Sequence, residues 1–405
     1  MVWIYGGGFR RGGTSEARQD GEFLAHRNVV VVSMNYRLGI FGFFAHPGLT
    51  VESPHHASGN YGLLDQAAAL RWVRDNIRQF GGDPKNVTIF GQSAGAYSVS
   101  YQIASPLSKD LVAKAIAESG AAFHSAALGT QPREEAEKAG EEFGQQVFHA
   151  STVAELRKIS AEDIENTVED KKSPRHTFAP DADGYFLPEP LEKIYAEGRQ
   201  AHIPLLAGWN ADERREIDDV SLASFKEQAQ KEFGANSDQF LEAYSATTDE
   251  SALRAAGDFA GDRFIGYSTW RCIESQVATG SPVYRYFFTL GQPPIDLYHK
   301  MQGLASHSDE IEYVFGTLDS RQGSVWRPED RKLSDLMGAY WTNFARTGDP
   351  NGEGLPHWPS YGDAGGWQVM HLDANSAAKP DAFRKRYLFL DSVWGKKTTE
   401  KTSGN

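Results

Sequence analysis

The sequence has little cysteine, no long hydrophobic run and no excess of basic residues. Of its 405 residues only Cys272 is a cysteine, which excludes an internal disulfide and a thiolate metal cluster. No window approaches the ~18 uninterrupted apolar residues that a membrane-spanning helix needs. The formal net charge of −13 argues against nucleic acid or an anionic membrane surface as a partner. What remains is an ordinary globular composition, with 40% hydrophobic and 23% charged residues.

No stretch rich in proline, glycine or serine divides the chain. We therefore predict one domain over residues 1–395, followed by a polar, disordered tail at 396–405. Within the domain, the composition is charged and helical at about 121–200 and helical again at about 215–280. We expect a helical insertion in the first region and helices that cover the site in the second.

Apolar, β-branched runs alternate with helical patterns along the first part of the chain. The helical spacing of apolar residues predicts a helix over Leu63–Phe80. The predicted strands are Val2–Tyr5, Val29–Met34, Val87–Phe90, Ala113–Ala117, Ile203–Ala207, Val283–Thr289 and Gln368–Leu372. Val29–Met34 is apolar on both faces, as in a parallel strand buried under helices. The alternation predicts an α/β fold with a mostly parallel central sheet and helices on both faces.

The first predicted strand begins almost at Met1, with no charged leader region or cleavage site before it. A buried strand normally follows other chain, so we expect an upstream segment that this sequence lacks. An export signal would lie in that segment, so the cellular location of the protein is not readable from the sequence.

The segment Gly91-Gln92-Ser93-Ala94-Gly95 fits the pattern G-x-S-x-G. It lies between a β-branched strand and a helical stretch, where a sharp turn lifts a serine hydroxyl above the sheet. The N-terminus of the following helix adds partial positive charge where negative charge develops. The alternative is a plain glycine-rich turn with a capping serine, but the strand-to-helix context favours Ser93 as a nucleophile.

Gly6-Gly7-Gly8-Phe9 follows the first strand. Acyl transfer places negative charge on one oxygen, and preorganised backbone N–H groups stabilise it. Glycines let the backbone approach the substrate closely. By themselves three glycines more often mark a turn; together with the nucleophile pattern they predict an oxyanion hole.

A serine nucleophile needs a histidine base and an acid that orients it, and on this fold the acid precedes the histidine in the chain. The strand at 203–207 leads to Asp212 and Glu213, and the residues alone barely favour Glu213. The later histidines are His299, in a predicted helix, His307, His357, beside prolines, and His371, in a predicted strand. His307 occupies a loop of small residues, which favours it as the base.

Several segments in the same order resemble the type-B carboxylesterase family, the carboxylesterase and cholinesterase group, and are most similar to its bacterial para-nitrobenzyl-esterase-like members. The likeness runs from Met1 to about Leu390. The segments that carry it are Val2–Phe9, Asn35–Gly39, Gly59–Gln66, Phe80–Pro84, Gly91–Gly95, Glu118–Gly120, Asn210–Glu213, His307 with Glu310–Gly316, and Trp341–Pro350.

The resemblance implies an α/β-hydrolase fold and a serine carboxylesterase that hydrolyses small-molecule esters without a metal or organic cofactor. It implies a triad of Ser93, Glu213 and His307, and an oxyanion hole formed by Gly7, Gly8 and Ala94. It also implies that Ser119 supports the acid. Short-chain or aromatic esters are the expected substrates, and aromatic residues that are candidates for the pocket are Phe9, Trp209, Phe264 and Tyr267.

Two departures from the family pattern carry expectations. The family's first strands precede the strand that opens this chain, so Val29–Met34 is expected to become an exposed apolar edge that pairs in a homodimer. Gln92 stands where many relatives carry glutamate, which weakens the case for cationic substrates.

The main alternative function is a non-catalytic or truncated relative with a binding or scaffold role. Such proteins typically lose the serine, the histidine or an oxyanion glycine, and this sequence retains all three. An amidase or peptidase on the same fold is a further alternative.

Overall fold

The computed structural model describes residues 1–123, 128–170, 176–214, 219–293 and 304–402, with side chains as far as residue 395. Its centre is an eight-stranded sheet with strand order β10-β9-β8-β7-β4-β3-β1-β2. All neighbours are parallel except the pair β9 and β10. The strands of this sheet are β1 (Val2–Ile4), β2 (Val32–Ser33), β3 (Thr88–Gln92), β4 (Lys114–Glu118), β7 (Leu205–Asn210), β8 (Val283–Phe288), β9 (Gln368–Leu372) and β10 (Ala377–Pro380). A separate parallel pair consists of β5 (Gln131–Pro132) and β6 (Asp181–Ala182).

The α-helices of the described residues follow in chain order. They are α1 (Glu22–Ala25), α2 (Gly39–Phe43), α3 (Pro47–Glu52), α4 (Tyr61–Asn76), α5 (Ala94–Gln102), α6 (Arg133–Phe148), α7 (Val153–Leu156), α8 (Ala161–Glu169), α9 (Leu191–Ala196), α10 (Leu222–Phe233), α11 (Ser237–Ala243), α12 (Asp249–Gly261), α13 (Tyr267–Val277), α14 (Ile311–Phe315), α15 (Pro328–Thr347) and α16 (Arg384–Thr402). No helix of this described part is long and apolar enough to cross a membrane.

The sheet is covered on both faces, which explains its continuous apolar strands. Every residue of β3, β4 and β7 is buried, as expected for parallel strands packed under helices. On β8, Tyr286 packs against Trp341 of α15, with ring centroids 5.5 Å apart. The neighbouring Arg285 points to the opposite face and lies over the Trp209 ring. The predicted parallel sheet between two helical layers is therefore confirmed.

Strand β2 forms one edge of the sheet, where Val29–Met34 was expected from the resemblance, but it is shorter than the predicted strand. Only Val32 and Ser33 pair with β1, and Val29, Val30 and Val31 are half-buried rather than buried. Because β2 has a neighbour on one side only, its apolar composition does not bring full burial. The predicted buried strand over Val29–Met34 is thus wrong in extent, and a homodimer through this edge stays a prediction.

The C-terminal segment forms helix α16, which continues to Thr402. The domain boundary at 395 and the disordered tail at 396–405 stay predictions. In the earlier turns of this helix, Tyr387, Leu390 and Trp394 are buried and pack against the domain. Residues 403–405 of the predicted tail lie outside the described residues.

Candidate active site

Ser93 occupies a strained turn between β3, which ends at Gln92, and α5, which begins at Ala94. Its φ and ψ are 55° and −125°, a conformation that costs a non-glycine residue roughly 1–3 kcal/mol. The Ser93 N–H donates to the Glu118 carbonyl at 2.9 Å, and the Tyr97 N–H donates to the Ser93 carbonyl at 2.9 Å. The turn is therefore held by β4 on one side and by the first turn of α5 on the other.

The glycines of the G-x-S-x-G segment allow three backbones to meet. A Cβ on Gly95 would lie 1.9 Å from the Ile4 carbonyl oxygen of β1, and a Cβ on Gly91 would lie 2.6 Å from the Gly95 carbonyl carbon. Neither space admits a side chain. This packing, rather than turn conformation alone, explains why both positions are glycine.

His307 contacts Ser93 and Glu213 at once. Its Nε2 lies 2.9 Å from Ser93 Oγ, and its Nδ1 lies 2.5 Å from Glu213 Oε2. The serine follows β3, the glutamate follows β7, and the histidine lies in the loop before α14. The Glu213 side chain is 2% exposed and the His307 side chain 24% exposed, so the imidazole is the more open end of the pair.

Asp212, the other acid that the residues alone left open, has a different position. Its Oδ2 accepts from the Ala305 N–H at 2.9 Å, and its own N–H donates to the Ala305 carbonyl at 2.9 Å. The two bonds fasten the loop after β7 to the loop that carries His307. Asp212 thus holds the histidine loop in place, while Glu213 touches the histidine. Among the other candidates, His371 lies in β9 and His299 lies outside the described residues.

A second buried carboxylate, Glu310, lies beneath this arrangement. Asn210 donates its backbone N–H to Glu213 Oε1 at 2.8 Å and its side-chain Nδ2 to Glu310 Oε2 at 2.6 Å. Ser119 Oγ donates to Glu310 Oε1 at 3.2 Å, so the carboxylate that it contacts is that of Glu310. Sequence reasoning singled out neither Asn210 nor Glu310 as a site residue. Both stand in segments that carry the family resemblance, which was the available signal.

The electrostatics of the site follow from burial and from these contacts. Burial raises the pKa of Glu310 to about 7, and the nearby charge of Glu213 adds to the rise. Burial disfavours the charged form of His307, but the charge and hydrogen bond of Glu213 outweigh it, so the pKa of His307 is raised above its ordinary 6.5. Glu213 therefore favours the protonated form of His307.

The glycine loop after β1 lies beside Ser93. A Cβ on Gly6 would lie 3.0 Å from Ser93 Cβ. Gly7 and Gly8 have φ of 103° and 64°, and a Cβ on Gly8 would meet no atom within 4 Å. The backbone of Gly8, two residues after Gly6, thus borders open space. Ala94, the third predicted donor, is buried at the first position of α5.

The four aromatic pocket candidates have different surroundings. Phe9 is fully buried and packs on Phe43, with ring centroids 4.8 Å apart. Trp209 is 2% exposed beneath Arg285, and Tyr267 is 3% exposed and donates to Asp391. The structure therefore places these three in core contacts. Phe264 is half-buried, and its ring centroid lies 5.0 Å from that of His307. It is the one of the four shown in contact with the Ser93, His307 and Glu213 group.

Comparison with known proteins identifies the family of this chain. The family model described as the carboxylesterase family matches residues 1–390. The chain is 36% identical over 379 residues to fumonisin B1 esterase of Sphingopyxis macrogoltabida. This alignment covers 89% of this chain and 67% of that protein. It is 34% identical over 435 residues to liver carboxylesterase 1 of Mus musculus, covering 100% of this chain and 75% of that protein. A solved structure of PNB esterase superposes with a TM-score of 0.79 at 33% identity, covering 96% of this chain and 79% of that one. The chain therefore belongs to the carboxylesterase family, and it is a carboxylic ester hydrolase with the α/β-hydrolase fold.

Proposed function

We propose that this enzyme cleaves esters through an acyl-enzyme on Ser93, with His307 as the base and Glu213 as the acid that orients it. The observation that carries the proposal is the single imidazole that reaches Ser93 Oγ at 2.9 Å and Glu213 Oε2 at 2.5 Å. A neutral histidine that donates from Nδ1 to a carboxylate leaves its Nε2 lone pair free to take the serine proton.

In the first half of the reaction, Ser93 Oγ forms a bond to the ester carbonyl carbon while its proton moves to His307 Nε2. The carbonyl electron pair moves to the oxygen, which the N–H groups of Gly7, Gly8 and Ala94 stabilise in this proposal. Each such donor is worth roughly 3–4 kcal/mol in the transition state. When the intermediate collapses, the bond to the alkoxy oxygen breaks and the alcohol leaves with the proton from His307.

In the second half, water attacks the acyl-enzyme in the way that Ser93 attacked the ester. His307 takes a proton from water, the hydroxide attacks the acyl carbon, and the bond to Ser93 Oγ breaks as His307 returns the proton to it. We assign Asn210 and Glu310 a positioning role, because Asn210 bonds both Glu213 and Glu310. Ser119, which directly follows β4, supports the Glu310 carboxylate.

Short-chain or aromatic esters are the proposed substrates, with the half-buried Phe264 as an apolar wall beside His307. To test this, turnover of 4-nitrophenyl acetate, butyrate and octanoate is compared with that of the 4-nitroanilide of butyric acid. We expect turnover of the acetate and butyrate esters, slower turnover of octanoate and little cleavage of the anilide. Faster cleavage of the anilide would indicate an amidase. No ester turnover by a protein that melts cooperatively would support the non-catalytic alternative.

The pH dependence gives a further prediction through Gln92, whose side-chain Nε2 lies 3.5 Å from His307 Nε2. His307 acts as a base only when neutral, so kcat/KM is present above its raised pKa and is lost as the pH falls through it. In Gln92→Glu, a carboxylate beside the imidazole favours the charged histidine. We expect the acid limb of kcat/KM for the neutral butyrate ester to move up by about one pH unit.

The matched control for this prediction is Gln92→Met, which changes the side chain without adding charge. Its acid limb is expected to stay within a few tenths of a unit of that of the unmodified enzyme. An acid limb that does not move in Gln92→Glu would mean that His307 is not the group whose protonation ends activity.

A further inference from the structure

Three arginines flank residues of the Ser93 site along the chain, in a protein whose net charge is −13. Two of them, Arg10 and Arg11, follow the glycine loop directly, and the third, Arg214, follows Glu213. All three are exposed. We call these residues the arginine rim.

Arg214 is linked to the site through one aromatic ring. Its guanidinium carbon lies 5.7 Å from the Phe264 ring centroid, and Phe264 in turn lies edge-on to His307, with centroids 5.0 Å apart. A cation over an aromatic face is stabilised by the ring, more so when partly desolvated. The half-buried Phe264 ring therefore lies between the Arg214 guanidinium and the His307 imidazole.

Arg10 and Arg11 lie in the turn of the glycine loop, which adjoins Ser93 on the side of β1. Both N–H groups donate to the Gly7 carbonyl, at 3.1 and 3.2 Å. The Arg11 carbonyl oxygen and Cγ lie 2.1 and 3.2 Å from the place where a Cβ on Gly7 would be. The turn thus fixes the backbone of both arginines beside the glycine loop, and their exposed side chains extend from it.

The residue next to the nucleophile is neutral. Gln92 is 3% exposed and places an amide group, not a carboxylate, 3.5 Å from His307 Nε2. The nearest acid, Glu213, is engaged by His307 Nδ1 and by the Asn210 N–H, on the side of the imidazole away from Ser93. The serine side of the site therefore has a neutral amide beside the imidazole, and exposed arginines stand on the two loops that flank it.

From this arrangement we propose that the enzyme prefers esters whose acyl chain ends in a carboxylate, with Arg214 as the main residue that binds the carboxylate and Arg10 and Arg11 as additional attraction. Guanidinium groups match carboxylates in a two-point geometry that neutral esters do not use. This inference rests on the proposed ester hydrolysis at Ser93 and names its substrate class.

The test compares two esters with acyl chains of equal length, the monoanionic 4-nitrophenyl adipate and the neutral 4-nitrophenyl hexanoate. We expect a higher kcat/KM for adipate, and a ratio that falls as sodium chloride is raised from about 0.02 to about 0.5 M, because salt screens exposed charges. In Arg214→Gln the ratio of adipate to hexanoate is expected to fall about five- to tenfold, mainly through KM. Arg214→Lys is expected to retain most of the ratio at low salt, and Arg10→Gln and Arg11→Gln to lower it about two- to threefold each.

The control is Arg78→Gln, an exposed arginine in the turn that precedes β3, at the end of the sheet opposite Ser93. This substitution is expected to leave kcat/KM unchanged for both esters. Equal turnover of the two esters by the unmodified enzyme, or an equal loss on both esters in Arg214→Gln, would overturn the proposed preference while leaving ester hydrolysis intact. No turnover of hexanoate, or turnover that survives Ser93→Ala, would instead overturn the proposed function.

Discussion

Replacing Ser93 with alanine is expected to lower kcat for 4-nitrophenyl butyrate by a factor of about 10⁴ to 10⁶. Without Oγ no acyl-enzyme forms, and the residual rate comes from binding and from the oxyanion donors alone. The substitution keeps the Cβ and both backbone hydrogen bonds of the turn, so the fold is expected to persist. The unmodified enzyme is expected to release a rapid burst of nitrophenolate in proportion to active sites if deacylation is the slower step.

Ser100→Ala is the matched control for this prediction. Ser100 lies in α5, the helix that follows Ser93, and is fully buried; its Oγ donates to the Tyr97 carbonyl at 2.7 Å and accepts from the Ala122 N–H at 3.1 Å. Its loss is expected to lower the free energy of unfolding by about 1 kcal/mol while kcat changes little. Activity in Ser93→Ala above about a tenth of the original, with an unchanged thermal melt, would contradict a covalent intermediate at Ser93.

Glu213→Gln is expected to lower kcat by about 10⁴, the effect typical of a neutralised triad acid. The amide does not supply the charge that stabilises the imidazolium, and it allows the wrong histidine tautomer. Because the charge of Glu213 raises the pKa of His307, the acid limb of the residual activity is expected to move to lower pH. Both effects are measured from the pH profile of kcat/KM for the butyrate ester.

Asp212→Asn separates this role from that of the neighbouring acid. An asparagine Oδ1 is able to accept the bond that Ala305 N–H gives to Asp212, so we expect the loop to stay in place and kcat to fall by less than about tenfold. The reverse ranking, with Asp212→Asn much the more damaging, would show that the assignment of the acid to Glu213 is incorrect.

Much of the sheet was predictable because a buried parallel strand is recognisable from a short run of consecutive apolar residues. The run at Gln368–Leu372 became β9 with the same bounds, and the helix at 61–80 was visible in the spacing of Leu63, Leu70 and Ile77. The turn at Ser93 was predictable for the same reason, since a strand, two glycines, a serine and a helix follow one another within a few residues.

Other features depended on contacts that a local pattern does not contain. The choice between Asp212 and Glu213 rests on a loop about ninety residues further on, where His307 meets one side chain and Ala305 meets the other. The aromatic candidates were not distinguishable by residue type, because Trp209 packs under Arg285 of the neighbouring strand whereas Phe264 reaches His307. Likewise, the position of β2 at the edge, and not its composition, decides its burial.

The sequence by itself determined the strand-helix alternation, the turn at Ser93 and the glycine loop, because each arises from interactions between residues close in the chain. The tertiary structure alone decided which acid touches His307, which aromatic ring borders the site, and that Arg214 and the Arg10–Arg11 turn both adjoin it. Those outcomes depend on how separate loops pack at one end of the sheet, and the positions of side chains across such a junction are set by the packing of the whole domain.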